Sequence, residues 1–543
     1  MVLWQLDTGR KQFLPHLSSP ICNIVVSTSG SSYVIKLADN SVMVMSTREL
    51  QPLATITGLQ LCPDMGGRAE PSKSSVVAKL HPQQPERLIV AVPASHQLTQ
   101  NQHGSQPANA AVLQTYDIRA NSHISRQALA RTNATTLSVS PEGSQIVAPD
   151  VKHMDIVHDA KWLATVDSWV PHAKDVEALD RSSPKSIAAL RPEIFLKFWK
   201  WDASSDTWEL VTRIDGPHFA ENHQSTVLGL ASRPGAHEFA TLGSDSVIRF
   251  WCPTAKYRSG LNAKDQPEQS TWKCRGLVDL KGCLDNAQAS PLDTASMSFS
   301  EDGSVLAVCL PSTSAANDGL VLLIDARNCA VHYRRTGVFL GNPCSTSFLG
   351  SHLIVASTHS VAVWDTVDDI VKTIQSSESV DLPGAGNSQL IAVNARTKSL
   401  AIATRGSKRG KNRFQINIYD VPSFEVVFQE TLKISPVALL SDSYSGDYIV
   451  IDSAVGVQRL GCMDKASQKS QNNQSREVTG QIDSGLASLF TRGQERLPAQ
   501  NDEDTDSSAQ AKGLASVFGD TPAYSLPAIG VLFRNVVQTL GST

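Results

Sequence analysis

Histidine and aspartate side chains are closely spaced in one stretch, and they are the first candidates for catalysis or metal binding. His153 and His158 are five positions apart, and Asp155, Asp159 and Asp167 accompany them. Paired carboxylates can act as general acid and base, but aspartate also favours turns because it hydrogen-bonds its own backbone. A separation of five in a strand and turn is poor geometry for two metal ligands. We interpret the aspartates as turn residues and predict no catalytic residue and no metal site.

The cysteines and the known sequence signatures also indicate no catalytic or metal site. Nine cysteines are scattered along the chain without a C-x-x-C pair, and several, such as Cys309, lie in apolar runs. Such thiols are typical of small buried side chains in a reducing compartment. We find no phosphate-binding glycine loop, no H-E-x-x-H helix and no G-x-S-x-G elbow. No run approaches the ~18 apolar residues of a membrane span. We therefore expect no enzyme, no cofactor, no small-molecule substrate and no membrane partner.

Positive charge is concentrated in one stretch, where five cations occur in nine residues without an acid: Arg405, Lys408, Arg409, Lys411 and Arg413. The net charge of the whole chain is −4, so attraction to RNA phosphates must come from such a local patch. The stretch connects predicted strands at 400–403 and 414–419, and we expect it to project as a mobile hairpin loop on one rim. A solvated loop and a phosphate-binding site for RNA or an acidic partner both stay open. The lack of interleaved aromatic residues argues against sequence-specific base stacking.

Short strands are the elements that must position these side chains. Apolar residues alternate with period two in runs that end in an aromatic residue, an aspartate or both, and the clearest are 113–117 (LQTYD), 246–251 (SVIRFW), 320–325 (LVLLID), 360–365 (SVAVWD) and 415–420 (QINIYD). Alternation bounded by Gly, Pro, Asn, Asp and Ser is typical of antiparallel strands. Recurrence at roughly 40–60 residues predicts the blades of a β-propeller.

The repeats predict how the chain is organised. Seven units between residues 76 and 461 predict a seven-bladed propeller, and we expect a segment from before residue 76 to complete the seventh blade, which lacks an obvious fourth strand after Leu460. Residues 1–57 carry about one and a half further blades, and 58–75 form a linker. Because one and a half blades cannot close a ring, we expect the sequence to begin partway through an earlier propeller.

Residues 462–543 form a tail in which the blade pattern stops. Runs rich in Gln, Asn, Ser and acidic residues predict disorder, interrupted by apolar islands. We interpret these islands as short docking helices and expect six apolar residues to make the contacts: Leu486, Leu489, Phe490, Leu532, Phe533 and Val536. The predicted fold class is therefore all-β: a seven-bladed WD-type β-propeller preceded by a partial second propeller, with a largely disordered C-terminal tail carrying short helices.

One blade carries polar residues in the order found in WD repeats. His223, Thr241, Asp245 and Trp251 match a loop histidine, a strand hydroxyl, a turn aspartate and a third-strand tryptophan. Hydrogen bonds among such groups fix one geometry for the blade. We predict that this network is structural, and most other blades lack it.

Three stretches carry a more specific resemblance: residues 2–9 (VLWQLDTG) followed by 12–15 (QFLP), 159–169 (DAKWLATVDSW) and 195–201 (FLKFWKW). Their order and spacing resemble the tandem-propeller WD-repeat subunit of the nucleolar t-UTP (UTP-A) subcomplex of the small-subunit processome, in its fungal form. The similarity runs over most of residues 1–460 and is weak in the tail. No catalytic residues are carried over, because that family is not enzymatic.

The resemblance implies a function that composition alone does not. It implies a scaffold in ribosome biogenesis that binds nascent pre-ribosomal RNA together with other WD-repeat subunits of the t-UTP subcomplex in the nucleus and nucleolus. It also implies support of pre-18S rRNA processing and of ribosomal DNA transcription. The alternative is a WD-repeat scaffold of another intracellular assembly, such as a vesicle coat or a nuclear pore.

Overall fold

The computed structural model of the chain describes residues 2–5, 8–13, 21–37, 40–61, 76–92, 112–129, 149–169, 193–220, 223–256, 269–284, 292–311, 318–358, 360–375, 390–408 and 411–461. The chain divides into two units, Met1–Cys462 and Met463–Thr543, and every described residue lies in the first. The six residues predicted to dock the tail therefore lie outside the described residues.

The N-terminal strands form one pair and one four-stranded sheet, which we name blade N. The pair and blade N consist, in order, of β1 (Val2–Gln5) and β2 (Arg10–Phe13), then β3 (Ile21–Val26), β4 (Ser32–Leu37), β5 (Ser41–Ser46) and β6 (Pro52–Thr57). Blade N buries a small cluster that includes Ile35, Leu37 and Met45.

Seven further antiparallel sheets follow, and we name them blades 1 to 7 in chain order. Blades 1 and 2 consist of β7 (Ala78–His81), β8 (Gln84–Val92), β9 (Val112–Asp117) and β10 (Ser122–Ala128), then β11 (Asp150–Ile156), β12 (Trp162–Trp169), β13 (Glu193–Asp202) and β14 (Thr207–Asp215). A hairpin of two short strands, β15 (Phe219–Ala220) and β16 (His223–Gln224), connects blade 2 to blade 3.

The remaining blades repeat the same meander. Blades 3 to 5 consist of β17 (Val227–Ser232), β18 (Phe239–Gly243), β19 (Val247–Lys256) and β20 (Gln269–Asp279), then β21 (Ser296–Phe299), β22 (Val305–Leu310), β23 (Asp318–Asp325) and β24 (Ala330–Leu340), then β25 (Pro343–Leu349), β26 (His352–Ser357), β27 (Ser360–Asp365) and β28 (Ile370–Gln375). Blades 6 and 7 consist of β29 (Leu390–Asn394), β30 (Ser399–Lys408), β31 (Lys411–Asp420) and β32 (Val426–Leu432), then β33 (Pro436–Ser441), β34 (Tyr448–Asp452) and β35 (Val457–Leu460).

The first strands of the seven blades form a closed ring. Strand β7 contacts β11, and the series continues through β17, β21, β25, β29 and β33, which contacts β7 again. At the point of closure, the backbone N–H of Val76 donates to the carbonyl of Val437 at 3.1 Å. A ring of this kind defines a β-propeller, because each sheet packs its faces against the sheets on either side.

The core lies between the blades. In the interface of blades 3 and 4, for example, Ile248 and Phe250 pack in one cluster with Leu306 and Leu322, and all four side chains are fully buried. Burial of each such side chain stabilises the fold by about 1.5–3 kcal/mol. Period-two alternation places apolar residues toward both neighbouring blades, and this is why the sequence pattern identified the strands.

Blade 7 closes differently from the others, because it has three strands among the described residues. The segment from before residue 76 contributes Leu59 and Leu61, which pack in one cluster with Ala438 and Ile451 of blade 7. Gln114 of blade 1 accepts from the backbone N–H of Gln60 at 2.8 Å and holds this segment in place. The segment before residue 76 therefore contributes to blade 7 by packing against it. The described residues contain no fourth strand beside β35.

The fold class predicted from the sequence is confirmed: the described residues form an all-β propeller of seven blades, preceded by further propeller-like strands. Among these residues the one helical element is a 3-10 turn at Lys281–Cys283. No described helix is long and apolar enough to cross a membrane. The predicted domain boundaries at residues 57, 75 and 461 stay predictions.

Polar contacts connect neighbouring blades at the turns between their first and second strands, which together we name the lower rim. Five contacts between 2.7 and 3.0 Å run around it: Lys79 Nζ to Asp155 Oδ1, His237 Nε2 to Asp159 Oδ2, Arg233 Nε to the Gly303 carbonyl, the Gly350 N–H to Glu301 Oε1, and Asn394 Nδ2 to the Asp442 carbonyl. The turns between second and third strands form the opposite, upper rim.

Candidate nucleic-acid interface

The basic stretch forms the end of a long hairpin in blade 6, and we name residues 405–413 the basic ribbon. Strands β30 and β31 pair continuously from Ser399 and Asp420 to Lys408 and Lys411. The flanking strands end earlier, since β29 reaches Ala403 and β32 reaches only Phe414. Residues beyond these positions therefore extend on the upper rim as a two-stranded ribbon.

This arrangement corrects the prediction of a hairpin loop between strands at 400–403 and 414–419. The two strands continue through the basic residues until Lys408 faces Lys411, which leaves a two-residue connection. Lysine and arginine do not interrupt an antiparallel ladder, because their backbone groups pair like those of any other residue. Arg409, in the connection, lies outside the described residues.

The register of the ribbon divides its cations between two faces. Lys408 faces Lys411, and Arg413 faces Gly406, so these three cations occupy positions on the same face of the ladder. Arg405 faces Phe414 on the other face. Like charges at directly opposed positions destabilise a strand pair, by up to about 1 kcal/mol. An anion bound on the three-cation face would remove that repulsion.

A described polar ladder continues the same face of β31 toward the propeller. Gln415 Nε2 donates to Asn417 Oδ1 at 2.9 Å, and Asn417 Nδ2 donates to the Tyr419 hydroxyl at 3.4 Å. Because residues two apart in a strand share a face, these three side chains follow Lys411 and Arg413 in line. Amides are common donors and acceptors for phosphate and sugar, so the half-buried Gln415 and Asn417 lengthen the candidate interface, whereas Tyr419 packs in the cluster between blades 5 and 6.

The blade network predicted from the sequence is present in blade 3, with one correction. Trp251 Nε1 donates to Thr241 Oγ1, and the Thr241 hydroxyl lies 2.9 Å from His218 Nε2. His218 Nδ1 lies 2.9 Å from Asp245 Oδ1. The histidine of the network is therefore His218 and not His223, which lies in β16 and whose side chain is outside the described residues.

The electrostatics of this network agree with a structural role. Burial lowers the pKa of His218, so its imidazole is neutral and can donate from one nitrogen while accepting at the other. Burial alone would raise the pKa of Asp245, but hydrogen bonds from His218 and Arg249 hold it below its usual range. Other blades keep only parts of the arrangement; in blade 2, for example, Trp199 Nε1 donates to Thr165 Oγ1 at 3.0 Å.

The aspartates interpreted as turn residues have different environments. Asp159 does lie in a turn, where it accepts from the Lys161 backbone N–H at 3.1 Å. The interpretation is wrong for Asp155, which lies in β11, and for Asp167, which is fully buried in β12. Period-two alternation accommodates a polar residue inside a strand when a neighbouring element supplies its partner.

Asp167 forms a buried ion pair with Lys197 of the adjacent strand β13. Lys197 Nζ also donates to the Leu129 carbonyl at 2.8 Å, while Asp167 Oδ1 has no hydrogen-bond partner among the described residues. Burial raises the pKa of Asp167 to about 6, against the opposing effect of Lys197. The pair is enclosed between strands, which favours a role in holding blade 2 together.

The remaining candidates do not assemble into a reactive site. His153 is half-buried, desolvation lowers its pKa, and its Nε2 lies 3.0 Å from the Val227 carbonyl. His158 stacks on His237 in the lower rim. Burial raises the pKa of the Cys309 thiol to about 12. In the part of the chain that the structure describes, no group of three or more His, Cys, Asp or Glu residues is placed to hold a metal ion.

The closed ring and the Trp–Thr–His–Asp network define a WD-type β-propeller. Residues 143–316 match the family described as the WD repeat-containing protein 75 second beta-propeller. The chain is 28% identical over 283 residues to U3 small nucleolar RNA-associated protein 17 of Schizosaccharomyces pombe, covering 50% of this chain and 31% of the relative. It is 24% identical over 312 residues to WD repeat-containing protein 75 of Xenopus laevis, covering 57% of this chain and 30% of the relative.

These matches confirm the resemblance inferred from the sequence, and the chain is a relative of these two WD-repeat proteins. The matched stretch spans about a third of the length of each curated relative. A chain in a solved structure, the Crystal Structure of Mitotic Checkpoint Complex, superposes with a TM-score of 0.41 at 10% identity, over 74% of this chain and 96% of that chain. At that score the superposition adds nothing to the assignment.

Proposed function

We propose that this chain is a non-enzymatic scaffold in ribosome biogenesis that binds nascent pre-ribosomal RNA through the basic ribbon. The observation that carries the proposal is the register of β30 and β31, which places Lys408, Lys411 and Arg413 on one face of a projecting hairpin. Cations in such a row contact phosphates without reading bases, and their contribution to affinity depends steeply on salt. Contact with the backbone suits a scaffold that must hold a long RNA at many places.

The names of the relatives support RNA as the partner. One of them is a U3 small nucleolar RNA-associated protein, and the other is known by its WD repeats. In our proposal, this chain acts in the small-subunit processome of the nucleolus, next to other WD-repeat subunits of the t-UTP subcomplex. It would support pre-18S rRNA processing and ribosomal DNA transcription there. The name of the first relative favours this assembly over a vesicle coat or a nuclear pore.

A non-enzymatic role is supported by how the described polar clusters are used. His218, Thr241 and Asp245 bond to one another inside blade 3, and Asp167 bonds to Lys197 inside blade 2. General acid–base catalysis requires groups within hydrogen-bond reach of a substrate, and these groups are buried among their own partners. The proposed function therefore resides in surfaces.

Blade N supports the further proposal that residues 1–57 belong to a second propeller. Its innermost strand exposes Ile24, Val25 and Val26 to solvent by 41%, 55% and 52%. The corresponding strand of blade 3, β17, instead alternates between buried and half-buried residues because blades cover both of its faces. Exposed apolar side chains on neighbouring positions mark a surface that another element covers.

The proposal is tested by purifying the tagged chain from cells, sequencing the bound RNA and identifying the bound proteins. We expect pre-ribosomal RNA, together with other WD-repeat proteins. The variant Lys408→Gln/Lys411→Gln/Arg413→Gln is expected to recover the same proteins with less RNA. Recovery of coat or pore proteins without pre-ribosomal RNA would overturn the proposal.

A further inference from the structure

A pocket of about 290 Å³ opens on the lower rim, where blade 1 meets blades 6 and 7. Leu80 and Pro82 of blade 1, Ile391 and Val393 of blade 6, and Leu439 and Ser441 of blade 7 contribute to its wall. It lies next to the place where the ring closes, on the opposite rim from the basic ribbon. We name it the lower-rim pocket.

The series of polar contacts around the lower rim is interrupted at the pocket. Contacts at or below 3.0 Å connect blade 1 to blade 2, blade 3 to blade 4, and blade 6 to blade 7, among others. At this rim the described residues show no such contact between blades 5 and 6 or between blades 7 and 1, and the pocket lies at the second of these gaps. At the closure the backbone bond from Val76 to Val437 joins these two blades nearer to the start of their first strands. The ends of those strands are therefore free to leave a cavity.

The wall of the pocket combines an apolar surface with two polar groups. Ser441 Oγ is enclosed and has no hydrogen-bond partner among the described residues. His81 Nδ1 accepts from the backbone N–H groups of Gln83 and Gln84 at 3.3 and 3.2 Å. Burial, with a smaller effect from Arg87, lowers the pKa of His81, so the imidazole is neutral and Nε2 carries its proton. The pocket thus offers a hydroxyl and an N–H donor beside aliphatic side chains.

The shape and lining favour a protein side chain over a nucleotide base. Pockets for small molecules usually measure about 300–1,000 Å³, so this one fits a single large side chain. Bases are held by stacking on aromatic rings or arginine planes; His81 is the one aromatic ring among the described residues that line the pocket, and no Phe, Tyr, Trp or Arg joins it. Its one lysine, Lys79, is paired with Asp155.

Charges around the pocket favour an acidic partner. Arg396 and Lys398 are exposed on the turn that follows β29, and Arg87 is close enough to His81 to affect its pKa. The nearby carboxylates Asp442 and Asp447 of blade 7 share one partner, Arg459, at 2.9 and 2.7 Å, so these three groups leave a single negative charge. With Arg396 and Lys398 the cations on these turns outnumber the remaining negative charge, and such an excess attracts acidic segments and steers their approach.

We infer that the lower-rim pocket receives one aliphatic or phenylalanine side chain from an acidic, extended segment of a protein partner. The side chain would fill the apolar wall, and Ser441 and His81 would hydrogen-bond to the backbone beside it. Arg396 and Lys398 would contact the acidic residues on either side. Binding at the lower-rim pocket is independent of RNA binding by the basic ribbon. Experiments can therefore refute one of the two proposals without refuting the other.

Methyl NMR on the full chain, labelled at isoleucine, leucine and valine methyls, tests the inference directly. The probe is a capped Glu-Asp-Leu-Phe-Asp-Glu peptide, compared with a peptide carrying Gly-Gly at its centre and with one carrying lysines at its ends. A short oligouridylate is the nucleic-acid probe. We expect only the first peptide to shift the methyl signals of Ile391, Val393 and Leu439 at low concentration.

Two variants locate the binding, each with a matched control. Ser441→Phe fills the pocket and is expected to weaken binding about tenfold or more, since the buried side chain supplies most of the affinity. Ser298→Phe, on the first strand of blade 4, makes the same change outside the pocket. Should Ser441→Phe fail to fold, the surface variant Arg396→Glu/Lys398→Glu is expected to give a similar loss, with Lys433→Glu as its control.

Three outcomes would overturn the inference. The pocket methyls do not respond to the acidic peptide, or the peptide binds Ser441→Phe and Arg396→Glu/Lys398→Glu as well as the original chain, or oligouridylate displaces the peptide from the pocket. Loss of peptide binding in the pocket variants with RNA binding unchanged would support it. Loss of RNA binding in the ribbon variant with peptide binding unchanged would show that the two sites are separate.

Discussion

Lys408 and Lys411 occupy directly opposed positions at the end of the β30–β31 ladder, and Arg413 follows on the same face. Two lysines at opposed positions repel each other, so this pairing weakens the hairpin that carries it. The five cations of the basic ribbon lie in a chain whose net charge is −4. A local excess of this kind favours an anionic partner, and the register shows which of the cations would contact it together.

Neutralising the three-cation face is expected to weaken RNA binding and to reduce its salt dependence. Each phosphate contact contributes about 0.7–0.9 to the slope of log K against log salt. Lys408→Gln/Lys411→Gln/Arg413→Gln should therefore lower the slope by about two. The slope is measured by filter binding of a pre-ribosomal RNA fragment at several salt concentrations.

The control for this measurement is Lys273→Gln/Lys281→Gln/Lys433→Gln, which removes three exposed lysines elsewhere on the propeller. The control should keep the original slope. Equal slopes in the ribbon variant and the original chain would mean that the basic ribbon is a solvated surface hairpin that does not bind RNA.

His218 and His223 offer a clear test of the blade network. His218→Ala leaves Asp245 and Thr241 buried without their partner, and we expect a loss of about 1–3 kcal/mol in the free energy of unfolding. His223→Ala removes a side chain for which we propose no bond in the network and should change this energy by less than about 0.5 kcal/mol. Urea unfolding followed by tryptophan fluorescence measures both. A larger loss of unfolding free energy in His223→Ala than in His218→Ala would mean that His223 is the histidine of the network.

The buried ion pair in blade 2 is expected to be sensitive to the loss of one partner and tolerant of the loss of both. Asp167→Ala leaves Lys197 buried with only the Leu129 carbonyl, and this should cost about 3–5 kcal/mol. Asp167→Leu/Lys197→Met replaces both charges with apolar side chains and should be within about 1 kcal/mol of the original chain. Equal losses in the single and the double variant would contradict a coupled pair.

The same pair predicts how stability depends on pH. The pKa of Asp167 is about 6 in the folded chain, above its ordinary value of 3.8. Between these values the folded state binds the proton more readily than the unfolded state. The contribution to stability is therefore fully present below the ordinary value and is lost as pH rises through the folded pKa. Over the whole transition the change is on the order of 3 kcal/mol.

Unfolding midpoints at pH 5 and pH 7.5 measure this effect when the original chain is compared with Asp167→Leu/Lys197→Met. The original chain should gain stability at pH 5 relative to the double variant. The comparison removes the contributions of the titrating groups that the two chains share. Equal relative stability of the two chains at pH 5 and pH 7.5 would mean that Asp167 stays ionised throughout and that its pKa is not raised.

Much of the fold could be predicted from the sequence, because period-two alternation and aromatic–Asp endings repeat with each blade. The network histidine was missed because the hairpin Phe219–Gln224 places two histidines before β17. A signal was available, since Gly216 lies two positions before His218 and WD repeats often carry glycine next to the loop histidine. Distance along the chain alone cannot decide between the two.

Other features depend on packing and lay beyond the sequence. Asp167 looked like a turn residue because the pattern does not show that Lys197 lies beside it in the next strand. The basic ribbon looked like a loop because charged residues were read as ends of strands, although the ladder continues through them. The lower-rim pocket joins His81 to Ser441, which are far apart in the chain and meet only when the ring closes.

The most direct test of the proposed function is to map ultraviolet RNA–protein crosslinks in the native assembly by mass spectrometry. We predict nucleotide adducts on peptides of the basic ribbon, residues 405–413, or on the adjoining Gln415 and Asn417. The sequenced RNA should be pre-ribosomal. Crosslinks confined to other surfaces of the propeller, or adducts only to unrelated RNA, would contradict an RNA-binding scaffold that works through this ribbon.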